Sequence, residues 1–198
     1  MFAERYCLID VETTGFSPAH DRIVEIACAA IDGDRVTHCW STLVRPGIRI
    51  PRYATAVHGI TNRMVRRAPR LPWALAQARR FCDGRIVATH NARFDLSFVG
   101  MGLCAEALCT LRLSRVLFPD APNHKNQTLR YYLGIDDAIE EPLTAHRALG
   151  DALVSAHVLI ACRRRFRFSR PGHSWQHFIE RHAMVATPGL DIADGVAR

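Results

Sequence analysis

Apolar positions along the chain fall into two rhythms. Tyr6-Cys7-Leu8-Ile9, residues 23–31 and Ile86-Val87-Ala88-Thr89 are short apolar runs bounded by turn residues, the pattern of buried strands. Asp32-Gly33-Asp34 predicts a hairpin leading into a third strand at 36–44, which Pro46-Gly47 ends. The second rhythm is helical. Pro72 at a first-turn position and Asp83-Gly84 at the far end bracket a helix in which Leu71, Leu75, Ala78 and Cys82 share a face. The strand at 86–89 runs into His90-Asn91-Ala92-Arg93-Phe94-Asp95 and an apolar helical stretch toward Met101. A short fifth strand is expected at 107–110, with helical segments at 111–117 and 127–133. From 147 to 162, apolar residues at 149, 152, 153, 156, 159 and 160 predict one broad buried helical face. The order β-β-β-α-β-α-β-α, with its early hairpin, predicts an α/β fold: a mixed five-stranded sheet flanked by helices.

The composition changes at Arg163-Arg164-Arg165-Phe166-Arg167-Phe168-Ser169-Arg170. Residues 1–165 are therefore expected to form the domain, and 166–198 a basic C-terminal tail with one short helix near 175–184. The arginines of 163–170 suit a nucleic-acid backbone and suit equally a solvated helix end that complements the helix dipole. Between 51 and 69 lie short elements containing His58-Gly59-Ile60-Thr61. Arg63, Arg66, Arg67 and Arg70 follow, read here as a solvated charged face.

The first strand closes on Asp10-Val11-Glu12-Thr13-Thr14-Gly15. Side chains alternate along a strand, so Asp10 and Glu12 point the same way. Two adjacent carboxylates repel, and either a solvated strand end or a divalent cation between them relieves the repulsion. Asp95 stands near a helix start just after a strand, and Asp151 in the first turns of the long helix, so four carboxylates occupy element termini. Ligands collect at that edge of an open α/β sheet. Such a set fits two hard cations, Mg2+ or Mn2+ rather than zinc. His146 precedes Asp151 by five residues, about 140° around a helix. It is therefore placed in the lead-in loop with Pro142 and Thr144, where it suits a general base for water. The other histidines read as ordinary surface or core residues.

Net charge is +7, with Lys125 the only lysine, and a basic surface suits a polyanionic partner. Seven scattered cysteines, odd in number and without a C-x-x-C pair, argue against a disulfide framework or a zinc site. No apolar run is long enough to span a membrane, and the chain enters a strand almost at once, so a cytoplasmic protein without membrane contact is expected.

DVETTG, HNARFD and AHRALGDA, with HGIT at 58–61 and NQTLRYYLGI at 126–135, together resemble the DnaQ-like (DEDDh-type) exonucleases over residues 4–162. That family includes the proofreading subunit of bacterial replicative polymerase, ribonuclease T and oligoribonuclease. A sister group carries tyrosine four residues before the last aspartate; Arg147 stands there, and His146 at five takes the role. The resemblance implies a ribonuclease H-like fold and a metal-dependent 3′–5′ exonuclease that releases nucleoside monophosphates. It implies that Asp10, Glu12 and Asp151 hold one metal, that Asp10 and Asp95 serve a second, and that His146 takes the proton of the attacking water. It also implies that Thr13 and Thr14 face the terminal 3′-hydroxyl and that His58 lines the pocket. Phe16 and Phe94 would lie near the last bases, although Phe94 reads better as core, and Asn91 would contact substrate or cap its helix. Two features depart from the family. Cys109-Thr110 stands where Asp-Thr is common, and Gln176-His177-Phe178 is too short for a sliding-clamp motif.

Three functions follow. Single-stranded DNA 3′ ends are the favoured substrate, in proofreading or repair. The alternatives are trimming of RNA 3′ ends by the same chemistry and a non-catalytic subunit docked on a DNA polymerase. Oligomeric state is not legible.

Overall fold

The structure, a computed structural model, describes residues 5–138 and 146–186; Pro142 and Thr144 lie outside them. Six strands form one mixed sheet: β1 (Arg5–Thr13), β2 (Ile23–Asp32), β3 (Arg35–Leu43), β4 (Ile86–Thr89), β5 (Glu106–Cys109) and β6 (Met184–Ala186). Their order is β3-β2-β1-β4-β5-β6. The β1–β2 and β2–β3 pairs are antiparallel, β4 and β5 add in parallel, and β6 closes the edge antiparallel to β5. The sixth strand corrects the expected count of five. Met184-Val185-Ala186 is too short to show a period, and only its pairing with Glu106-Ala107-Leu108 makes it a strand.

Among the described residues, eight α-helices accompany the sheet: α1 (Arg52–His58), α2 (Asn62–Val65), α3 (Leu71–Cys82), α4 (Ala92–Val99), α5 (Thr110–Leu117), α6 (Asn126–Tyr132), α7 (Ala148–Ser169) and α8 (Trp175–His182). Strand alternation divides their packing. Tyr6 and Leu8 of β1, with Ala27, Ala29 and Ile31 of β2, face a core shared with α5, α7 and α8. Cys7, Ile9 and Val11 point the other way, toward α3 and α4. Ala27 and Ala29 are small enough to let the long helix α7 lie close against β2. A third, smaller cluster of Val24, Ile50, Ala54, Ile60 and Val65 seats α1 and α2 beside the sheet.

The long helix is buried on more of its circumference than one stripe, with Ala148, Ala152, Val154, Ala156, Val158, Leu159 and Cys162 all inaccessible. It continues to Ser169, so the expected tail begins inside it. Phe166, Trp175, Phe178 and Ile179 join the first core, and Trp175 Nε1 donates to the buried Tyr6 hydroxyl at 2.7 Å. Residues 166–186 are therefore built onto the same sheet as residues 5–138. An aromatic side chain buried this way contributes about 3 kcal/mol, which is why so short an edge strand holds its place.

Candidate active site

The alternation that sends Tyr6 and Leu8 toward α7 continues through Asp10 and Glu12, so both carboxylates emerge on the α7 side of the sheet. There β1 bulges between Glu12 and Thr13, and the chain turns away. Asp151 lies in the first turn of α7 and Asp95 in the first turn of α4. Asp10, Glu12 and Asp151 each present an oxygen within 4.8 Å of the others. Asp95 is buried on the other flank of Asp10, whose acidity it affects.

The charges oppose one another. Burial, then Asp95, Asp151 and Glu12 in turn, raise the Asp10 carboxyl well above the ordinary range. Burial and the neighbouring Asp151 push Glu12 up to about 8. Burial takes Asp95 to about 7, although the Thr89 hydroxyl and the Val11 amide favour its ionised form. Asp151 is raised by burial, and its neighbours His146, Gln127 and Asn126 moderate the rise. The donor set is entirely oxygen, and the nearest guanidinium, Arg147, is committed to Glu25. These residues fit divalent cations of the magnesium type, which would stabilise the ionised carboxylates.

Two supports fix the start of α7. Glu25 stands directly opposite Glu12 in the β1–β2 register. It accepts from Arg147 Nε at 2.9 Å, Arg147 Nη2 at 2.6 Å and the Ala148 amide at 3.0 Å. From the other side, Gln127 Nε2 donates to Asp151 Oδ1 at 2.8 Å, and Asn126 Nδ2 donates to the Asp151 carbonyl at 3.0 Å. His146 precedes α7 with φ 56°, exposed, its backbone amide donating to Asp151 Oδ2 at 3.1 Å. These three contacts place the His146 turn and the Asp151 carboxylate together.

Other expected site residues take different parts. Thr14 is fully buried, and its hydroxyl donates to Asp21 Oδ1 at 2.8 Å and accepts from the Arg22 amide at 3.0 Å. Thr13 Oγ1 donates to the Gly15 carbonyl at 2.5 Å. Both hydroxyls therefore hold the loop together, because burial leaves them no other partner. A side chain at Gly15 would collide with the Asp21 carboxylate, 2.5 Å from an ideal Cβ, so the tight loop requires glycine. Phe16 is 83% exposed and tilts against the half-buried Phe94 at 6.2 Å between ring centroids. Phe94 packs against Phe98 and the second core. His58 is buried; its Nδ1 accepts from the Ile60 amide at 3.0 Å, and burial holds its pKa down although the Thr13 backbone favours the charged form. Asn91 occupies the N-cap position of α4, but its side chain makes no capping bond; it is exposed, and the Phe94 and Asp95 amides donate to its backbone carbonyl instead.

Sequence reasoning gave no role to Glu25, Asn126, Gln127 or Tyr53. A glutamate amid Ile23-Val24-Ile26-Ala27 was the available signal, since a charge inside a buried strand requires a partner. Tyr53, on α1, donates its hydroxyl to the Thr14 carbonyl at 3.1 Å, tying that helix to the loop after β1. No local pattern announces that contact.

The family model described as Exonuclease matches residues 7–159, which include every carboxylate of the cluster. The chain belongs to this exonuclease family. Among its relatives, the DNA polymerase III subunit epsilon of Aquifex aeolicus is 30% identical over 78% of each chain. The DNA polymerase III subunit epsilon-like protein of Rhodobacter capsulatus is 38% identical over 78% of this chain and 23% of its own length. A PolC-type DNA polymerase III from Caldanaerobacter subterraneus is 35% identical over 78% of this chain. This chain spans only 11% of that polymerase. The solved structure of exonuclease X in complex with 5′ overhanging duplex DNA superposes with a TM-score of 0.73. It is 27% identical and covers 88% of this chain and 98% of that one. The six-stranded mixed sheet is thus the ribonuclease H-like fold of this 3′–5′ exonuclease family, and its acidic cluster lies where β1 meets α7.

Proposed function

We propose that this chain is a metal-dependent 3′–5′ exonuclease that removes nucleoside monophosphates one at a time from single-stranded DNA ends, in proofreading or repair. The observation that carries the reading is the convergence of Asp10, Glu12 and Asp151 within 4.8 Å at the strand edge, beside the buried Asp95. Asp10, Glu12 and Asp151 would hold one divalent ion, and Asp10 with Asp95 a second. When bound, such ions neutralise the phosphodiester, lower the pKa of water and orient both for in-line displacement.

The residues of the chain do the rest. His146 sits on an exposed turn pinned to Asp151 through its backbone amide, and among the described residues no hydrogen bond engages its imidazole. A ring nitrogen accepts the proton of the attacking water as the new P–O bond forms and the 3′-oxygen of the next nucleotide leaves. Glu25 and Arg147 keep that turn in register with the cluster. The exposed Phe16 gives the terminal base an aromatic surface. DNA is favoured because the relatives are named as DNA polymerase III subunits and the exonuclease X structure contains DNA. By the same likeness, a replicative polymerase is the partner class to test.

Single-stranded DNA and RNA labelled at either end, incubated with Mg2+, Mn2+ or chelator beside the Asp10→Asn protein, test the reading. Metal-dependent shortening from the 3′ end, faster on DNA and lost in the variant, is expected. Folded wild-type protein that shortens neither substrate would overturn it.

A further inference from the structure

Acidic residues are absent from residues 35–82, a stretch that carries ten arginines. The chain outside that stretch therefore holds every carboxylate, and the +7 net charge is gathered rather than spread. Tertiary contacts gather it further. Asn62 clasps the backbone of Ile50, its Oδ1 accepting from the amide at 2.9 Å and its Nδ2 donating to the carbonyl at 3.2 Å, which sets Arg49 beside α2. The Arg45 amide donates to the Pro69 carbonyl at 2.8 Å, which sets Arg45 beside Arg70. Arg63, Arg66 and Arg67 are spaced i, i+3 and i+4 along α2 and its closing turn, so they share a side while Val65 is buried beneath.

All of these arginines, and Arg52 on α1, are exposed, and among the described residues none forms an ion pair. The contrast with Arg163 and Arg167 is direct, since both of those are paired to Asp34. The patch is joined to the strand that carries Asp10 and Glu12 through one contact. Tyr53, 58% exposed and adjacent to Arg52, is the residue that bonds Thr14 on the loop after β1. An exposed aromatic side chain is thus fixed to the loop that follows the Asp10–Glu12 strand.

We infer that the α1–α2 face is a track for the phosphates of the substrate strand on the 5′ side of the scissile bond, with Tyr53 as a stacking step at its entrance. This rests on the nucleic-acid reading above. A single strand is the favoured occupant because clustered arginine beside an exposed aromatic suits bases splayed from their backbone. The patch would also supply attraction that the carboxylate cluster cannot, since the cluster by itself repels phosphate.

The test measures binding with chelator present, so that no metal-dependent cleavage occurs, by fluorescence anisotropy against salt. The probes are single-stranded DNA of about 20 and about 4 nucleotides, and a duplex with the same recessed end. For Arg63→Ala/Arg66→Ala/Arg67→Ala, affinity for the long strand is expected to fall on the order of tenfold or more at low salt. Its salt slope should drop by about 2, at about 0.7 per phosphate contact. The Arg164→Ala/Arg165→Ala protein, which removes two arginines elsewhere, should keep the wild-type slope. An unchanged slope in the α2 variant, an equal loss in the control, or a loss confined to the duplex each overturns the proposal. Circular dichroism checks folding, and Arg49→Ala/Arg52→Ala repeats the measurement on the neighbouring segment. Cleavage of labelled strands, scored separately, decides the exonuclease reading whichever way the binding result falls.

Discussion

The two ends of α7 treat charge in opposite ways. At its C-terminal end, buried Arg163 donates to the Gly33 carbonyl and pairs with Asp34 at 3.0 Å, stacks over the Tyr6 ring, and Arg167 joins the same aspartate at 2.8 Å. Arg163, Arg164 and Arg167 gather on one aspartate there, and the result is a clamp on the β2–β3 hairpin. At its N-terminal end, Asp151 faces Asp10 and Glu12, carboxylate against carboxylate. The contrast recurs across a single rung of the sheet. Glu25 holds a guanidinium and an amide, while Glu12, opposite it, is crowded by carboxylates and pushed up to about 8. Where a fold compensates its charges, it secures itself. Where it assembles like charges on rigid elements, it leaves a site that an external cation completes.

Breaking the uncompensated end carries the largest expected effect. Asp10→Asn should lower exonuclease activity by several kcal/mol of transition-state stabilisation, about a thousandfold or more in rate. The same variant should melt higher than wild type in chelator, because it removes a source of repulsion; a lower melting temperature would contradict the electrostatic account. The pH dependence has a definite sign. Glu12 and Asp95 have folded pKa values raised to about 8 and about 7. Their contribution to stability is full below the ordinary carboxylate range and is lost progressively as pH rises from that range to about 7 and 8. Metal-free protein should therefore lose melting temperature over that interval, and Mg2+ should raise it more at pH 8 than at pH 5.5.

The compensated rung yields the next effect. Arg147→Met leaves the buried Glu25 charge without its guanidinium and should cost about 3 kcal/mol, discounted because Arg147 is partly open to solvent. Adding Glu25→Gln to it should recover part of the loss by chemical denaturation, since the orphaned charge is then gone. Gln127→Ala is expected to weaken Mn2+ binding about tenfold by loosening Asp151, read by calorimetry. Smallest of all, Arg167→Ala breaks a pair whose arginine is 56% exposed and should shift stability by less than about 1 kcal/mol.

Much of the site was legible because its chemistry sits on local patterns. Period-two alternation alone set Asp10 and Glu12 on one face, and helical spacing kept His146 out of regular helix. Their supports were less visible. Glu25 and Arg147 lie 122 residues apart in sequence, and nothing near either one names the other. Thr14 looked available to substrate, yet the turn that brings Asp21 back beneath it claims its hydroxyl. Asn91 stood at the right place for a capping side chain, and the backbone took that position without using it. The region from 166 to 186 read as tail because the arginines of 163–170 outnumber the two phenylalanines among them; Trp175, Phe178 and Val185 find their partners on β1, α7 and β5.

The sequence by itself determined the strands, the long helix, the identity of the four carboxylates and the family they announce, because burial periodicity and motif spacing are properties of neighbouring residues. Tertiary structure alone decided that a sixth strand exists, that Glu25 is satisfied while Glu12 is not, and that the segment of Arg45 and Arg49 returns beside that of Arg63 to Arg70. Those outcomes depend on which distant groups meet after the chain has folded, and burial and Coulomb energies are set only by that meeting.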